Sequence, residues 1–346
     1  MKPIAKKSTL ARYAIHLIKH PILPIIAVVW LLWATAMAIG DHWFLFAERY
    51  AMAITMALGS FVAGATSEGG GAVAFPVMTL IFSISPAVAR DFSLMIQSVG
   101  MVAASIAILR MAIPVSRPAI IWSGLGGALG IIVTLTFFDG RLPAPFLKIL
   151  FTSLWLSFAL ALWWINNDKN NFVVSAIGDQ GSTRILLFGL GILGGAISGL
   201  IGNGLDILVF SVLVLGFRLS ESIATPTSVV LMAGNALVGA LWKASTVGLH
   251  PEAVSYWWVC VPIVVVGAPL GAWFMSRLQR STVANILIAI ILIQYLGALF
   301  IIPLTTSLVI FGVAVTTIGM GLFFVVAMFG LRRAKRAQGK VSGKIG

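Results

Sequence analysis

Long apolar stretches, separated by short polar segments, follow one another along the chain. Apolar runs of about 20 residues with few charges are typical of transmembrane helices. The pattern predicts segments at residues 21–40, 48–66, 71–84, 88–112, 118–138, 144–166, 184–201, 205–217, 221–243, 254–275, 282–302 and 305–331. The segments 71–84 and 205–217 are short, since ~1.5 Å per residue gives about 20 Å against a hydrocarbon core of about 30 Å. The sequence leaves open whether they cross fully or re-enter.

The composition supports a membrane protein. Hydrophobic residues make up 60% of the chain and charged residues only 10%, whereas soluble domains have about 25% charged residues. The alternating segments of about ten residues that form a transmembrane β-barrel are not visible. We therefore expect an all-α polytopic membrane protein.

The net charge of +13 is concentrated in the two tails, which hold 11 of the 23 basic residues. Basic tails beside apolar spans mark the cytoplasmic side and contact anionic lipid, so membrane lipid and not nucleic acid is the expected partner. The single Cys260 excludes an intrachain disulfide and a cysteine-based metal cluster, and no cofactor is expected. The start also has the outline of a signal peptide, but an uncleaved first span is favoured.

The chain contains an internal repeat at an offset of 135 residues. Glu68 then falls on Asn203, and "GGALG" at 126–130 resembles "GAPLG" at 267–271. The identical pairs at this offset include Gly59 with Gly194, Gly64 with Gly199, Gly69 with Gly204, Phe75 with Phe210, and Ser93 with Ser228. The short segment and the spans around it recur in the same order, which indicates a duplication.

The loop charges predict how the two copies are related. With both tails inside, the inner loops carry isolated bases such as Arg110 and Arg117, while the outer loops pair acids with bases. In the outer loops Asp91 lies beside Arg90, Arg141 beside Asp139, and Glu252 near Lys243 along the sequence. Each copy has five segments, so the second enters from the opposite side.

We therefore expect two inverted-topology repeats whose broken helices meet near the membrane midplane, with an extra flanking span at each end. The predicted division is a basic tail and first span at 1–45, a first repeat at 46–166, a polar loop at 167–182, a second repeat at 183–303, and a final span with a basic cytoplasmic tail at 304–346.

Two glycine-rich interruptions, "GATSEGGGAVAFP" at 64–76 and "GLIGNGLD" at 199–206, lie inside apolar sequence. An interrupted helix exposes backbone N–H and C=O groups, which are tolerated in a membrane only against protein or a water-filled cavity. The helix that restarts presents free N–H groups and a positive dipole end, which suit an anion. Paired interruptions mark transporter binding sites. The alternative is that the glycines only allow close helix packing.

Polar side chains at and after these breaks are the candidate site. Ionisable residues within a membrane normally have a role or a partner, so Glu68 and Asp206 are candidates for binding a coupling proton or Na⁺ as well as substrate. The predicted substrate-binding residues are Glu68, Gly69, Gly70, Gly71, Arg90, Ser93, Gln97, Asn203, Gly204, Asp206, Thr227, Ser228 and Asn235. Helical spacing puts Arg90, Ser93 and Gln97 on one face.

Several of these residues have a structural alternative. The two acids can cap N–H groups at the breaks. Arg90 can form a salt bridge with Asp91. Ser228 and Asn235 can serve as hydrogen-bonding contacts between helices.

At "GSFVAGATSEGGGAVAFPVMTLIF" (59–82) and "GGAISGLIGNGLDILVFSVLVL" (194–215) the chain resembles the sulfite exporter TauE/SafE family of membrane permeases. The resemblance covers roughly residues 50–300 and leaves the first 45 residues as an addition. It implies secondary transport of small, mostly sulfur-containing anions, such as sulfite, thiosulfate and sulfonates, in a bacterial inner membrane. The second copy replaces two glycines of the motif by Leu205 and Asp206, so the two breaks can differ in role.

The expected function is ion-gradient-coupled transport by alternating access. The alternative is a passive anion channel or a membrane subunit of a larger transport assembly. An enzyme is not expected, because the histidines lie near span ends or in loops and no His-Glu-x-x-His motif is present. The sequence leaves the direction of transport, the coupling ion and the oligomeric state open.

Overall fold

The structure is a computed structural model that describes residues 22–66, 69–166, 174–278 and 280–342. Within these ranges the chain forms twelve α-helices: α1 (Ile22–Ile39), α2 (Leu45–Ala65), α3 (Gly69–Pro76), α4 (Pro86–Arg110), α5 (Arg117–Phe137), α6 (Ala144–Asn166), α7 (Gly181–Ile201), α8 (Leu205–Ser211), α9 (Glu221–Ser245), α10 (Pro251–Met275), α11 (Arg280–Ile301) and α12 (Thr306–Ser342). Eight helices in the described part are long and apolar enough to cross a membrane. The prediction of an all-α polytopic membrane protein is confirmed.

Each predicted apolar segment corresponds to a helix, with differences of a few residues at most ends. The clearest difference is at the last helix, which continues to Ser342, whereas the apolar pattern ends at residue 331. The apolar run marks the part that suits lipid, but backbone hydrogen bonding continues into the basic sequence beyond it.

The order of elements from α2 to α6 recurs from α7 to α11. Helices α3 and α8 each continue into a π-helical turn, Val77–Ile81 and Val212–Gly216, and these turns are 135 residues apart. Each turn is followed by a residue with left-handed backbone, Ser83 (φ 55°) and Arg218 (φ 58°). The opposite orientation of the two copies in the membrane remains a prediction.

The two copies are interlocked. Helix α2 packs along α10 of the other copy, and in the equivalent contact α7 packs along α5. Helices α4 and α9 pack against each other at the centre. Within their apolar windows, 72% of α4 and 78% of α9 is buried, against 11% of α12. The buried polar residues of α4 and α9, among them Arg90, Ser93, Gln97, Ser228 and Asn235, therefore face protein and not lipid.

Glycines allow the close approach at the two equivalent contacts. A Cβ on Gly126 would lie 2.1 Å from the Phe188 carbonyl oxygen, between α5 and α7. A Cβ on Gly271 would lie 2.0 Å from the Phe61 carbonyl oxygen, between α10 and α2. The matched segments 126–130 and 267–271 thus serve the small-residue packing that is common between membrane helices.

Helix α1 is attached to α10 by tryptophan side chains. Pro262 lies inside α10 and has no N–H, so the carbonyl of Trp258, four residues earlier, loses its helical partner. The indole N–H of Trp33 donates to this carbonyl oxygen at 2.7 Å, and that of Trp30 donates to the carbonyl oxygen of Pro262 at 2.9 Å. The proline defect in α10 is therefore satisfied by α1.

Candidate functional site

The second predicted break is present. Helix α7 ends at Gly202, which has a left-handed backbone (φ 82°), and α8 starts after Gly204 (φ 153°). Asn203 between them is buried. A Cβ on Gly202 would lie 2.7 Å from the Cβ of Ser93, so the bend fits closely against α4. Only glycine combines this conformation with this proximity.

Side chains satisfy the backbone where α8 begins. The Oδ1 atom of Asp206 accepts a hydrogen bond from the Gly204 N–H at 3.1 Å, and the Oγ atom of Ser198 accepts one from the Leu205 N–H at 3.0 Å. Asp206 is completely buried, and its Oδ2 atom has no hydrogen-bond partner among the described residues. Asp206 therefore caps the break with one oxygen and keeps the other available.

The first break differs in its position. Helix α2 ends at Ala65, Thr66 is extended (φ −130°, ψ 168°), and α3 begins at Gly69. The expectation that Gly69, Gly70 and Gly71 themselves interrupt the helix is therefore wrong, because they form the first turn of α3. The chain leaves the helix just before them. Glu68 lies outside the described residues.

Three predicted residues meet at the second break. The Nε2 atom of Gln97 donates to the Gly202 carbonyl oxygen at 3.0 Å. Gln97, Asn203 and Asn235 line one small cavity, which has no room for a water molecule. The Oδ1 atom of Asn235 is buried without a hydrogen-bond partner in the described part of the chain. Gln97 also lines a second small cavity beside Ala63 of α2, so it lies between the two breaks.

The other predicted side chains have different surroundings. Ser93 is fully buried beside Gly202, and its hydroxyl has no hydrogen-bond partner among the described residues. Ser228 donates to the carbonyl oxygen of Thr225 at 2.7 Å. Thr227 donates to the Ile223 carbonyl oxygen at 2.6 Å and accepts from the Ser116 N–H at 2.8 Å. Thr227 thus links the start of α5 to α9 and does not face the second break.

Arg90 belongs to a group of charged side chains at one end of the α4–α9 pair. Its Nη2 atom lies 2.8 Å from Asp91 Oδ1, and its Nη1 atom donates to Asp139. Lys243 Nζ lies 2.7 Å from Asp139 Oδ2 and 3.1 Å from Asp91 Oδ1. His250 Nδ1 lies 2.6 Å from Asp91 Oδ2. We call Arg90, Asp91, Asp139, Lys243 and His250 the ion cluster.

The ion cluster closes this end of the molecule. Its members come from the start of α4, the turn after α5, the end of α9 and the residue before α10. Arg90, Asp91 and Lys243 are buried. Burial alone would raise the pKa of Asp139, but the hydrogen bonds and charges of Arg90 and Lys243 hold it below its ordinary value. Asp139 and Lys243 lie in two separate loops assigned to the same side, and the fold pairs them with each other.

The opposite end of the same helix pair is open. A cavity of about 370 Å³ lies between the end of α4, the start of α9 and the end of α10. Ser222 and Thr225 of α9 line it, and it reaches Gly64 of α2 near the first break. The Thr225 hydroxyl is buried and has no hydrogen-bond partner within the described ranges. We call this space the open cavity.

The two ends occupy equivalent places in the repeated fold. At the offset of 135 residues, Arg90 and Asp91 correspond to Thr225 and Pro226. One copy therefore supplies charges that seal its end, while the other supplies a hydroxyl and a proline to a cavity wall. Among the described residues no group of three or more His, Cys, Asp or Glu side chains could hold a metal ion.

Sequence reasoning missed Ser198, Asp139, Lys243 and His250 as parts of the site. A signal was present for two of them, since Asp139 and Lys243 are charges in loops assigned to the same side as Arg90. Their mutual pairing depends on how α5 and α9 pack beside α4. Nothing in the local sequence of Ser198 distinguishes it from a packing serine.

The sulfite exporter TauE/SafE family model matches residues 51–297. The chain belongs to this family. No curated protein and no solved structure matches the chain. The TauE/SafE family is one of membrane permeases for sulfite export, so this chain is a multi-pass membrane transport protein. The match includes both breaks, the ion cluster and the open cavity, whereas α1 and α12 lie outside it.

Proposed function

We propose that this TauE/SafE protein is a secondary transporter of small, sulfur-containing oxyanions, such as sulfite, thiosulfate or sulfonates, and that it works by alternating access. One observation carries the proposal. Two broken helices flank a central helix pair that is sealed by charges at one end and opens into a cavity of about 370 Å³ at the other. A transporter that exposes a central site to one side at a time has this arrangement.

The open cavity faces the cytoplasm in this proposal. Arg110, Arg117 and Arg277 flank the open end, and short loops rich in Arg and Lys lie on the cytoplasmic side of bacterial membranes. The same rule places both basic termini in the cytoplasm and the ion cluster on the outside of the bacterial inner membrane. The conformation is then inward-facing.

The substrate binds between the two breaks. Ser93, Gln97, Asn203 and Asn235 supply hydroxyl and amide groups there without a fixed charge. Such groups donate to oxyanion oxygens, and an amide can also accept from a protonated oxygen. The cavity at this site is closed in the present conformation, so substrate binding separates α4, α8 and α9.

Glu68 and Asp206 bind the coupling ion, a proton or Na⁺. Asp206 has one carboxylate oxygen without a hydrogen-bond partner among the described residues, and a buried carboxylate is stabilised by taking up a cation. An anion beside an ionised Asp206 is repelled, and a bound cation removes that repulsion. Cation and anion therefore favour each other's binding.

The purified protein in liposomes tests this function. Flux of labelled sulfite or of a labelled sulfonate is measured with and without an imposed pH or Na⁺ gradient. We expect flux that follows one of these gradients, and we expect Glu68→Gln to remove the dependence while the protein stays folded. Asp179→Asn, which changes an exposed pair with Arg184 far from the site, is the control and retains wild-type flux.

Two results would contradict the proposal. Flux that ignores every ion gradient, together with single-channel currents, indicates a passive anion channel. Flux and pH dependence like those of the wild type in Glu68→Gln exclude the coupling role of that carboxylate.

A further inference from the structure

The ion cluster contains two carboxylates that are held in different ways. Asp91 is completely buried and accepts hydrogen bonds from Arg90 and from the backbone N–H of His250. It also lies 3.1 Å from Lys243 Nζ and 2.6 Å from His250 Nδ1. These contacts come from the start of α4, the end of α9 and the residue before α10, and they hold the Asp91 carboxylate in place. Asp91 is therefore expected to keep its position when the cluster rearranges.

Asp139 is the more exposed of the two carboxylates. Its side chain is 19% exposed, against 4% for Arg90 and 2% for Lys243. It lies in the turn after α5, next to Gly140, which has a left-handed backbone (φ 69°) and open space around it. One oxygen of Asp139 contacts Arg90 and the other contacts Lys243. The carboxylate is thus a small anion clamped between two cations, on a turn that faces solvent.

We propose that Arg90 and Lys243 form an outer oxyanion-binding site that the Asp139 carboxylate fills in the closed state. An incoming anion with two or more oxygens on one central atom, such as sulfite or a sulfonate, displaces Asp139 and takes over both contacts. This site rests on the proposed function and deepens it, because it is where substrate on the outside meets the transporter.

Charge balance favours the exchange. Without Asp139, the two buried cations Arg90 and Lys243 face only the one carboxylate of Asp91. An uncompensated buried charge is strongly destabilising, so the cluster opens readily only when another anion replaces Asp139. The planar guanidinium of Arg90 suits paired oxygens and keeps its charge at any physiological pH. The site therefore selects oxyanions over uncharged solutes.

The other end of the helix pair lacks such a site. Thr225 and Pro226 stand where Arg90 and Asp91 stand in the first copy, and the charged residue that α9 brings to the open cavity is Glu221, a buried acid. This wall therefore offers an acid and no cation equivalent to Arg90. The outer end thus opens in exchange for an anion, while closure of the open cavity depends on other contacts.

The first test compares Asp139→Asn with wild type and with Asp179→Asn, each purified in detergent. The melting temperature is measured in chloride buffer and then with sulfite or methanesulfonate at equal ionic strength. In chloride we expect Asp139→Asn to melt several degrees below wild type. The oxyanions should recover most of this loss, since ligands that bind the native state stabilise it, and should shift wild type and Asp179→Asn less. Equal shifts in all three proteins would overturn the proposal.

The second test keeps the cluster intact and does not depend on the stability of Asp139→Asn. Ser93 is fully buried on α4, one helical turn after Arg90. The test is made in a Cys260→Ala background, which removes the one native thiol. In Ser93→Cys, a membrane-impermeant thiol reagent applied outside should react about tenfold faster with external methanesulfonate than with chloride. Labelling that is unchanged by the oxyanion contradicts the displacement of Asp139.

The outcomes separate this site from the proposed transport function. Transport of sulfite by wild type, with no extra anion response in either test, removes the outer site and leaves the function. An oxyanion response in both tests, with no flux in liposomes, supports the site and removes the transport proposal.

Discussion

Asp206 combines two tasks in one buried side chain. Its Oδ1 atom completes the hydrogen bonding of the broken backbone at Gly204, while its Oδ2 atom has no hydrogen-bond partner among the described residues. The sequence predicted both capping and cation binding for this residue, and the structure shows the capping contact. The two tasks are separable, because an amide keeps the accepting oxygen and loses the charge.

Asp206→Asn should leave the fold intact and flatten the dependence of flux on the imposed ion gradient. Asp206→Ala should additionally lose about 1 kcal/mol of stability, the typical value of a helix cap. Melting temperature and liposome flux of the two variants provide the measurement. Gradient-dependent flux in Asp206→Asn equal to wild type would remove Asp206 from the coupling mechanism.

Asp139 should make stability depend on acid pH. Its pKa in the folded protein lies below the ordinary value of 3.8, so its contribution is fully present above that value and is lost as the pH falls through the lower, folded pKa. Removing one partner of a buried ion pair costs ~3–5 kcal/mol, and the lower end applies because Asp139 is partly exposed.

The melting temperatures of wild type and Asp139→Asn are compared in chloride buffer. The range is about pH 3 to 7, because it spans the ordinary carboxyl pKa of about 3.9. We expect a constant difference from neutral pH down to about pH 5, and a decrease below about pH 4. A difference that grows on acidification would contradict the pairing seen in the ion cluster.

Helices α5 and α7 show how the interlocked copies are held together. Gly191 of α7 faces α5, and a Cβ there would lie 2.4 Å from the Ser123 carbonyl oxygen. Gly189, two residues earlier on the same helix, has nothing within 4 Å. The sequence does not distinguish these two glycines, and only their positions on the helix face show which one is needed for close packing.

Gly191→Ala should destabilise the protein by about 1–3 kcal/mol, because the added methyl group forces the two helices apart. Gly189→Ala is the matched control and should change stability by less than about 0.5 kcal/mol. Thermal unfolding of both variants in the same detergent measures the difference. Equal stability of the two variants would show that the close approach of α5 and α7 is not required.

The helices were predictable from sequence to within a few residues at most ends, because length and hydropathy determine which segments suit a bilayer. The breaks were less predictable. The second was placed correctly at Gly202–Gly204, whereas the first begins before Gly69. Glycine is compatible both with a non-helical bend and with the first turn of a helix. Its presence alone therefore does not show at which residue the helix is interrupted. The π-helical turns after α3 and α8 had no visible sequence signal.

The candidate site was only partly predictable. Gln97, Asn203 and Asn235 were each singled out by their polarity inside apolar sequence, and they line one cavity. Arg90 was singled out too, but beyond Asp91 it contacts Asp139, and Lys243 contacts the same two carboxylates. Those contacts arise from the packing of distant helix ends, which the order of residues along the chain does not specify.

The asymmetry of the whole molecule predicts which positions a soluble reagent can reach. Ser222 lines the open cavity. Val247 is exposed just after α9, at the opposite end of the α4–α9 pair, where the ion cluster lies. In a Cys260→Ala background, Ser222→Cys should react with an impermeant thiol reagent only in inside-out vesicles, and Val247→Cys only in right-side-out ones. Labelling of both from the same side would contradict the proposed orientation.

The indole contacts between α1 and α10 have a consequence for the minimal length of the protein. The TauE/SafE match starts at residue 51, after α1, so a shortened chain that begins there would lack both indole groups. The Trp258 carbonyl, four residues before Pro262, would then lose its donor. A bare carbonyl in hydrocarbon costs several kcal/mol. The first helix thus supplies the donor that proline lacks, and we expect a chain shortened to the family region to be less stable than the full chain.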